Sequence, residues 1–141
     1  MSDPGTVSVW RRISVAVSGT TVIVGAPTDP VWGAVGAGSA YAFAKTTEGT
    51  WSQEAKLTAA DAQDGDDFGD AVALSGGAAL VGAASDDTIV GERTGSAYVF
   101  MRSGSLWVEE VKLTAGVDAS MWDNFGNAVA FDCRAQQVLT G

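Results

Sequence analysis

A chain of 141 residues with seventeen Asp and Glu against eight Lys and Arg has a formal charge of −9, which repels nucleic acid and anionic membrane surfaces. It contains no histidine and a single cysteine, Cys133, so an intrachain disulfide is excluded, and the commonest general base and transition-metal ligand is missing. Hydrophobic residues at 46%, with 18 Gly and 3 Pro, predict a folded chain of many short strands and tight turns, and no stretch reaches the roughly 20 apolar residues of a membrane helix.

The N-terminal segment, residues 1–12, opens Met1-Ser2-Asp3-Pro4-Gly5. It has neither a basic nor an apolar leader region, so no signal peptide is visible. From there the chain repeats itself. Val15-Ala16-Val17-Ser18-Gly19 returns 57 positions later as Val72-Ala73-Leu74-Ser75-Gly76, and Gly38-Ser39-Ala40-Tyr41-Ala42-Phe43 returns as Gly95-Ser96-Ala97-Tyr98-Val99-Phe100. Phe68-Gly69 returns at the same spacing as Phe125-Gly126, while Lys56-Leu57-Thr58-Ala59 returns after 56, as Lys112-Leu113-Thr114-Ala115. A one-residue gap therefore lies just upstream of that last stretch. Matches in one register define a tandem repeat: a first unit at 13–69, a second at 70–126 and a partial third at 127–141.

Each unit is predicted to hold four short strands. In the second they fall at about Ala71–Ser75, Ala79–Ala83, Ser96–Met101 and Leu106–Thr114, each rich in β-formers and bounded by Gly and Ser. The fourth strand alternates, placing Trp107, Glu109, Val111 and Leu113 on one face and Val108, Glu110 and Lys112 on the other. Its mixture of charge and apolar residues suits the outermost strand of a sheet. Nothing shows the 3.6-residue period of a long helix.

These residues resemble the FG-GAP repeat, found in the propeller of integrin α subunits and in bacterial surface and secreted proteins. Phe68-Gly69 and Phe125-Gly126 correspond to its FG. Gly25-Ala26-Pro27, and in weaker form Gly82-Ala83-Ala84, correspond to its GAP. The stretch from Trp51 to Thr58 and the Gly-Ser-Ala-Tyr-x-Phe stretch look like the bacterial branch. The resemblance implies an all-β fold of four-stranded antiparallel propeller blades, here two complete units and a half, and an extracellular or cell-surface setting. The Phe ring is expected to plug the space between sheets, while Gly and Ala stay small where backbones crowd together.

Three departures qualify that picture. Arg11-Arg12 stand where the first unit should have Phe-Gly. The first-to-second-strand loops, Ser18-Gly19-Thr20-Thr21 and Ser75-Gly76-Gly77-Ala78, lack the carboxylates of an integrin-like calcium loop. Calcium needs six to eight oxygens, so no cofactor is expected there. Lastly, two and a half blades do not close a ring, for which four to eight is usual. The chain is then part of a longer propeller, an assembly of copies, or a compact sandwich. Self-association is the favoured expectation, because raw sheet faces and edges seek partners.

The candidate site residues lie in loops. Asp29 and Asp86 occupy equivalent places in the long loops 28–38 and 85–95, where a rigid sheet usually carries its binding groups. Trp32 in the first loop, and Asp87 and Arg93 (with Ile89) in the second, join them as candidate ligand contacts. Asp61, Asp64, Asp66 and Asp67 crowd the loop entering the second unit and are weak metal candidates. Asp is also a natural turn residue, and the loop does not follow an EF-hand spacing. In the corresponding third-unit loop, Met121 and Trp122 replace Asp64 and Gly65. Trp51 and Trp107 are repeat-equivalent, which points to packing rather than to a sugar platform. Without histidine a Ser or Cys nucleophile has no evident base, and no carboxylate pair can be singled out. The expected role is non-enzymatic protein–protein or surface-ligand binding. The alternatives are a carbohydrate- or calcium-binding module, and a truncated repeat fragment without selected function.

Overall fold

The computed structural model describes residues 13–87, 92–115, 125–126, 129–132 and 137–140. Arg11, Arg12, Ile89, Met121, Trp122 and Cys133 lie outside the described residues. Those described contain no helix. Strands β1 (Val15–Ser18), β2 (Thr21–Ala26), β3 (Ser39–Lys45) and β4 (Trp51–Leu57) form an antiparallel sheet in the order β1-β2-β3-β4. Strands β5 (Phe68–Ser75), β6 (Ala78–Ala83), β7 (Ser96–Ser103) and β8 (Leu106–Leu113) repeat that sheet, and β9 (Val129–Asp132) pairs with β10 (Gln137–Thr140). The fold is all-β, built of open, propeller-blade-like four-stranded units.

The one-residue gap between repeats has a local cause. In the first unit Thr46 and Thr50 close a turn over residues 47–49, the Thr46 N–H donating to the Thr50 carbonyl. In the second, Ser103 pairs directly with Leu106 across only Gly104 and Ser105.

The two sheets stack face to face. Ile23, Ala40, Ala42 and Leu57 from the first meet Phe68, Val72, Val81, Tyr98, Phe100 and Trp107 from the second in one buried cluster. The Phe68 ring is fully buried there, edge-on to Tyr98 at 5.3 Å and to Phe100 at 5.9 Å. The far face of the second sheet, with Ala73, Leu80, Ala97 and Val99, packs against Leu113, Phe125 and Val129. Small residues set the spacing between sheets. A Cβ added to Gly25 would stand 1.9 Å from the carbonyl oxygen of Gly69, and one added to Gly82 would stand 2.0 Å from that of Gly126. The Phe68-Gly69 turn thus lies backbone-to-backbone on the Gly25-Ala26 stretch, with the Phe ring between the sheets and small residues where backbones crowd, as expected of each.

The face assignment of β8 needs correction. Val99 pairs with Val111 but Phe100 pairs with Glu109, so Glu110 is an unpaired bulge residue. The bulge reverses the alternation beyond it. Trp107, Glu109 and Lys112 therefore share the face of Tyr98, Phe100 and Arg102, while Val108, Val111 and Leu113 share the other. In β4 the same irregularity leaves Glu54 unpaired. Glu54 instead reaches the second sheet, accepting hydrogen bonds from Arg102 Nε at 2.7 Å, Arg102 Nη2 at 2.6 Å and Trp107 Nε1 at 2.8 Å. The Arg102 hydrogen bond, against the cost of burial and with help from Trp107, holds the Glu54 carboxyl below its ordinary range.

Candidate functional site

Antiparallel order puts three connections at one end of the sheets. These are the β2–β3 loop, the β6–β7 loop and the 58–67 linker from β4 to β5. Main-chain hydrogen bonds stitch the first to the linker: Gly65 N–H to Val35 O at 2.9 Å, Asp67 N–H to Gly36 O at 3.2 Å and Phe68 N–H to Ala37 O at 2.9 Å. Asp64 Oδ1 also accepts the Val35 N–H at 2.9 Å. At the apex Val31 and Ala34 exchange both backbone bonds around Trp32-Gly33. Both central residues have positive φ, 49° at Trp32 and 84° at Gly33, a conformation that a tryptophan rarely adopts. Trp32 is 77% exposed with Val35 exposed nearby, so its ring is presented outward rather than packed over the blade edge.

Asp29 and Asp86 turn the other way. The Asp29 carboxylate accepts from the Ser39 hydroxyl at 2.7 Å and from the Tyr41 hydroxyl. Asp86 is 2% exposed. Its carboxylate accepts from Ser96 Oγ at 2.5 Å, Lys112 Nζ at 2.8 Å and, more distantly, Tyr98 OH at 3.4 Å. The partners stand in the same 57-residue register as the aspartates, so this is a repeated device fastening the loop to the third strand.

Asp61 joins that second knot, accepting from Tyr98 OH at 2.8 Å and Lys112 Nζ at 2.5 Å. Burial pushes the Asp61 carboxyl upward, but the bonds from Lys112 and Tyr98 prevail and hold it below the ordinary range. The two carboxylates likewise outweigh burial at Lys112 and raise its ammonium pKa. Burial and then Asp86 raise the Tyr98 phenol. Asp66 is 3% exposed, with Oδ2 accepting the Gln63 N–H at 2.8 Å. Asp67, with φ of 58°, accepts from Ser85 Oγ at 2.7 Å. Ser85 in turn accepts from Arg93 Nη1 at 3.2 Å, and the Arg93 N–H donates to Asp87 Oδ1 at 2.9 Å.

The structure thus brings together Asp61 and Asp86 in one knot through Tyr98 and Lys112, turns Asp66 to the Gln63 N–H, and gathers Asp67, Asp87 and Arg93 about Ser85. It leaves Trp32 outward on the neighbouring loop. Among the described residues no group of three or more Asp, Glu or Cys side chains is arranged to hold a metal ion. The residues that sequence reasoning missed are Tyr98, Lys112 and Glu54. The first two carried a signal, since Tyr41 and Lys56 repeat them and each ammonium lies over the matching ring, at 5.7 Å for Lys56 and 5.4 Å for Lys112.

Stacked four-stranded sheets, joined at one end by loops in a 57-residue register, define a tandem propeller-blade repeat protein. The FG-GAP repeat model matches residues 12–43 and 51–100, more than half of the chain, and the protein belongs to the FG-GAP repeat family. No curated protein matches the chain.

Proposed function

We propose that this protein is a non-enzymatic binding module that takes a protein or cell-surface ligand on its loop end, and that it works joined to further copies of itself or to another protein. The observation that carries the binding reading is Trp32, exposed at the apex of a loop that main-chain hydrogen bonds fix to its neighbour. A large ring held outward at little further entropic cost is what a contact residue needs. The joining is supported by the outer face of the first sheet. Val15, Val17 and Trp51 are exposed there, whereas their repeat counterparts Val72, Leu74 and Trp107 pack into the core between sheets.

Light scattering coupled to size exclusion, over a concentration series, tests the joining. A discrete multimer that Val17→Asp reduces to the 14.4 kDa monomer is the expected result, and a monomer at every concentration removes self-association. A second reading, carbohydrate binding, is favoured by the same Trp32, because an exposed indole can stack on a sugar ring. Parallel screens on a glycan array and a panel of cell-surface proteins separate the two. Binding that Trp32→Ala abolishes on one and not the other assigns the class, and binding indifferent to Trp32→Ala on both removes the loop end from the account.

A further inference from the structure

The clasp that joins the two sheets has each of its halves repeated elsewhere on the molecule. Glu54 of β4 accepts from Arg102 and Trp107, which stand side by side as a cross-strand pair of β7 and β8. One repeat earlier, Lys45 and Trp51 form the same pair across β3 and β4. Ala40 and Ala42 are buried between the sheets, so alternation turns Lys45 and Trp51 to the opposite face, and both are exposed. One repeat later, Glu110 takes the unpaired bulge position of Glu54 and is exposed on the edge strand β8. The surroundings of the two glutamates differ. Where the first sheet has Ala44, Thr50, Ser52 and Ala55, the second has Met101, Leu106, Val108 and Val111 in the same register. These four are 41–64% exposed, on the face of β7 and β8 turned away from the first sheet. Phe125 and Val129 pack closer to the inner strands of that face, with Leu80, Ala97 and Val99. The exposed apolar strip thus lies along the outer strands, around Glu110, and such a strip marks a contact surface.

We propose that a second copy of this chain docks head to tail on that strip: its Trp51 ring enters among Met101, Leu106 and Val108, and Glu110 accepts from its Trp51 indole N–H and its Lys45 ammonium. The inference rests on the self-association proposed above and gives it a direction. Charge complementarity favours it, since the cation of one surface meets the carboxylate of the other. Continuity with the clasp inside the chain favours it as well, because a glutamate at that bulge already accepts from a cation and an indole at that cross-strand pair. Joining two first sheets by their outer faces would offer Lys45 no glutamate of that kind. A head-to-tail contact is heterologous, so each copy keeps one surface open for the next, and growth ends only where a ring closes.

The test is the dissociation constant of the assembly, from sedimentation equilibrium of the whole chain as wild type, Lys45→Glu, Glu110→Lys and an equimolar mixture of the two variants. Each variant alone sets like charges across the junction and is expected to raise the constant by about thirtyfold or more. Glu110→Lys makes the chain less negative, so a weakening there does not come from general repulsion. In the mixture each new charge meets its opposite, and association is expected to return. Both side chains are exposed, and the variants are expected to melt with the wild type. A multimer that Glu110→Lys leaves intact, or one that mixing does not recover, overturns the head-to-tail contact while self-association stands. A wild-type chain that is monomeric throughout removes both.

Discussion

The contact between Gly25 and Gly69 makes the sharpest prediction about how the blades are held. A methyl group at residue 25 would sit 1.9 Å from a backbone oxygen, with the Gly69 carbonyl carbon at 2.9 Å. The obstacle is main chain, so no rotamer relieves it. The Phe68-Gly69 turn must retreat by more than about 1 Å, and the Phe68 ring, fully buried against Tyr98 and Phe100, retreats with it. Overpacking in a well-filled core costs about 1–3 kcal/mol, and one that also opens the core cluster belongs at the top of that range, about 3 kcal/mol. For a chain of this size that lowers the melting temperature by roughly 10 °C. Gly77→Ala is the control, since its nearest neighbour would be the Arg102 carbonyl oxygen at 3.7 Å, an ordinary contact. Thermal and urea denaturation of both variants are to be compared with wild type. If Gly25→Ala melts within two degrees of Gly77→Ala, the close backbone approach is not what sets the spacing between blades.

The outer strands make a second prediction. Glu54→Ala leaves the Arg102 guanidinium and the Trp107 indole N–H without their acceptor and is expected to cost about 2 kcal/mol, read as a lower urea midpoint. Because the Glu54 carboxyl is held below its ordinary range, its contribution is present above that range and lost as pH falls through the folded value. The variant's deficit should therefore shrink in acid, and a deficit constant from pH 7 to 3 would contradict the ion pair. Trp32→Ala, by contrast, should leave the denaturation curve within about 0.5 kcal/mol of wild type, because the side chain is exposed. A larger loss would mean that the ring packs.

What the sequence made legible was whatever recurs along it. Matching residues in a fixed register placed β5 to β8 within a few residues of their observed bounds, because turn glycines and β-branched runs are local signals. The roles of the Phe ring between sheets and of the small Gly-Ala stretch where backbones crowd were legible too, but not that Gly69 is what lies on Gly25. The bulge at Glu110 was not. Two residues facing one leaves no compositional mark, so period-2 reading carried Val111 to the wrong face and missed Lys112 beside Tyr98. The candidate aspartates divide on the same ground. Sequence identifies Asp86 as a loop carboxylate, but its inward turn depends on Ser96, Tyr98 and Lys112, which arrive from two other strands. Trp32 was recognisable as a loop aromatic, yet its exposure follows from a tight turn that neither Trp32 nor its flanking valine announces.

The two indoles at equivalent places carry the structural argument furthest. Trp107 is 8% exposed and Trp51 is 49% exposed, although each opens the same strand pattern, after a turn one residue shorter in the second unit. The difference lies in their neighbours. Trp107 lies on the face turned toward the first sheet, with Glu54 accepting its N–H, and Trp51 lies on the face turned away from the second. Glu110 holds in β8 the bulge position that Glu54 holds in β4 and is exposed. One sheet therefore presents an indole face and the other a free bulge glutamate, the two halves of the contact already formed between the blades. Residues kept in register at both sides of a repeat, and buried on only one, are those that the proposed self-association would use.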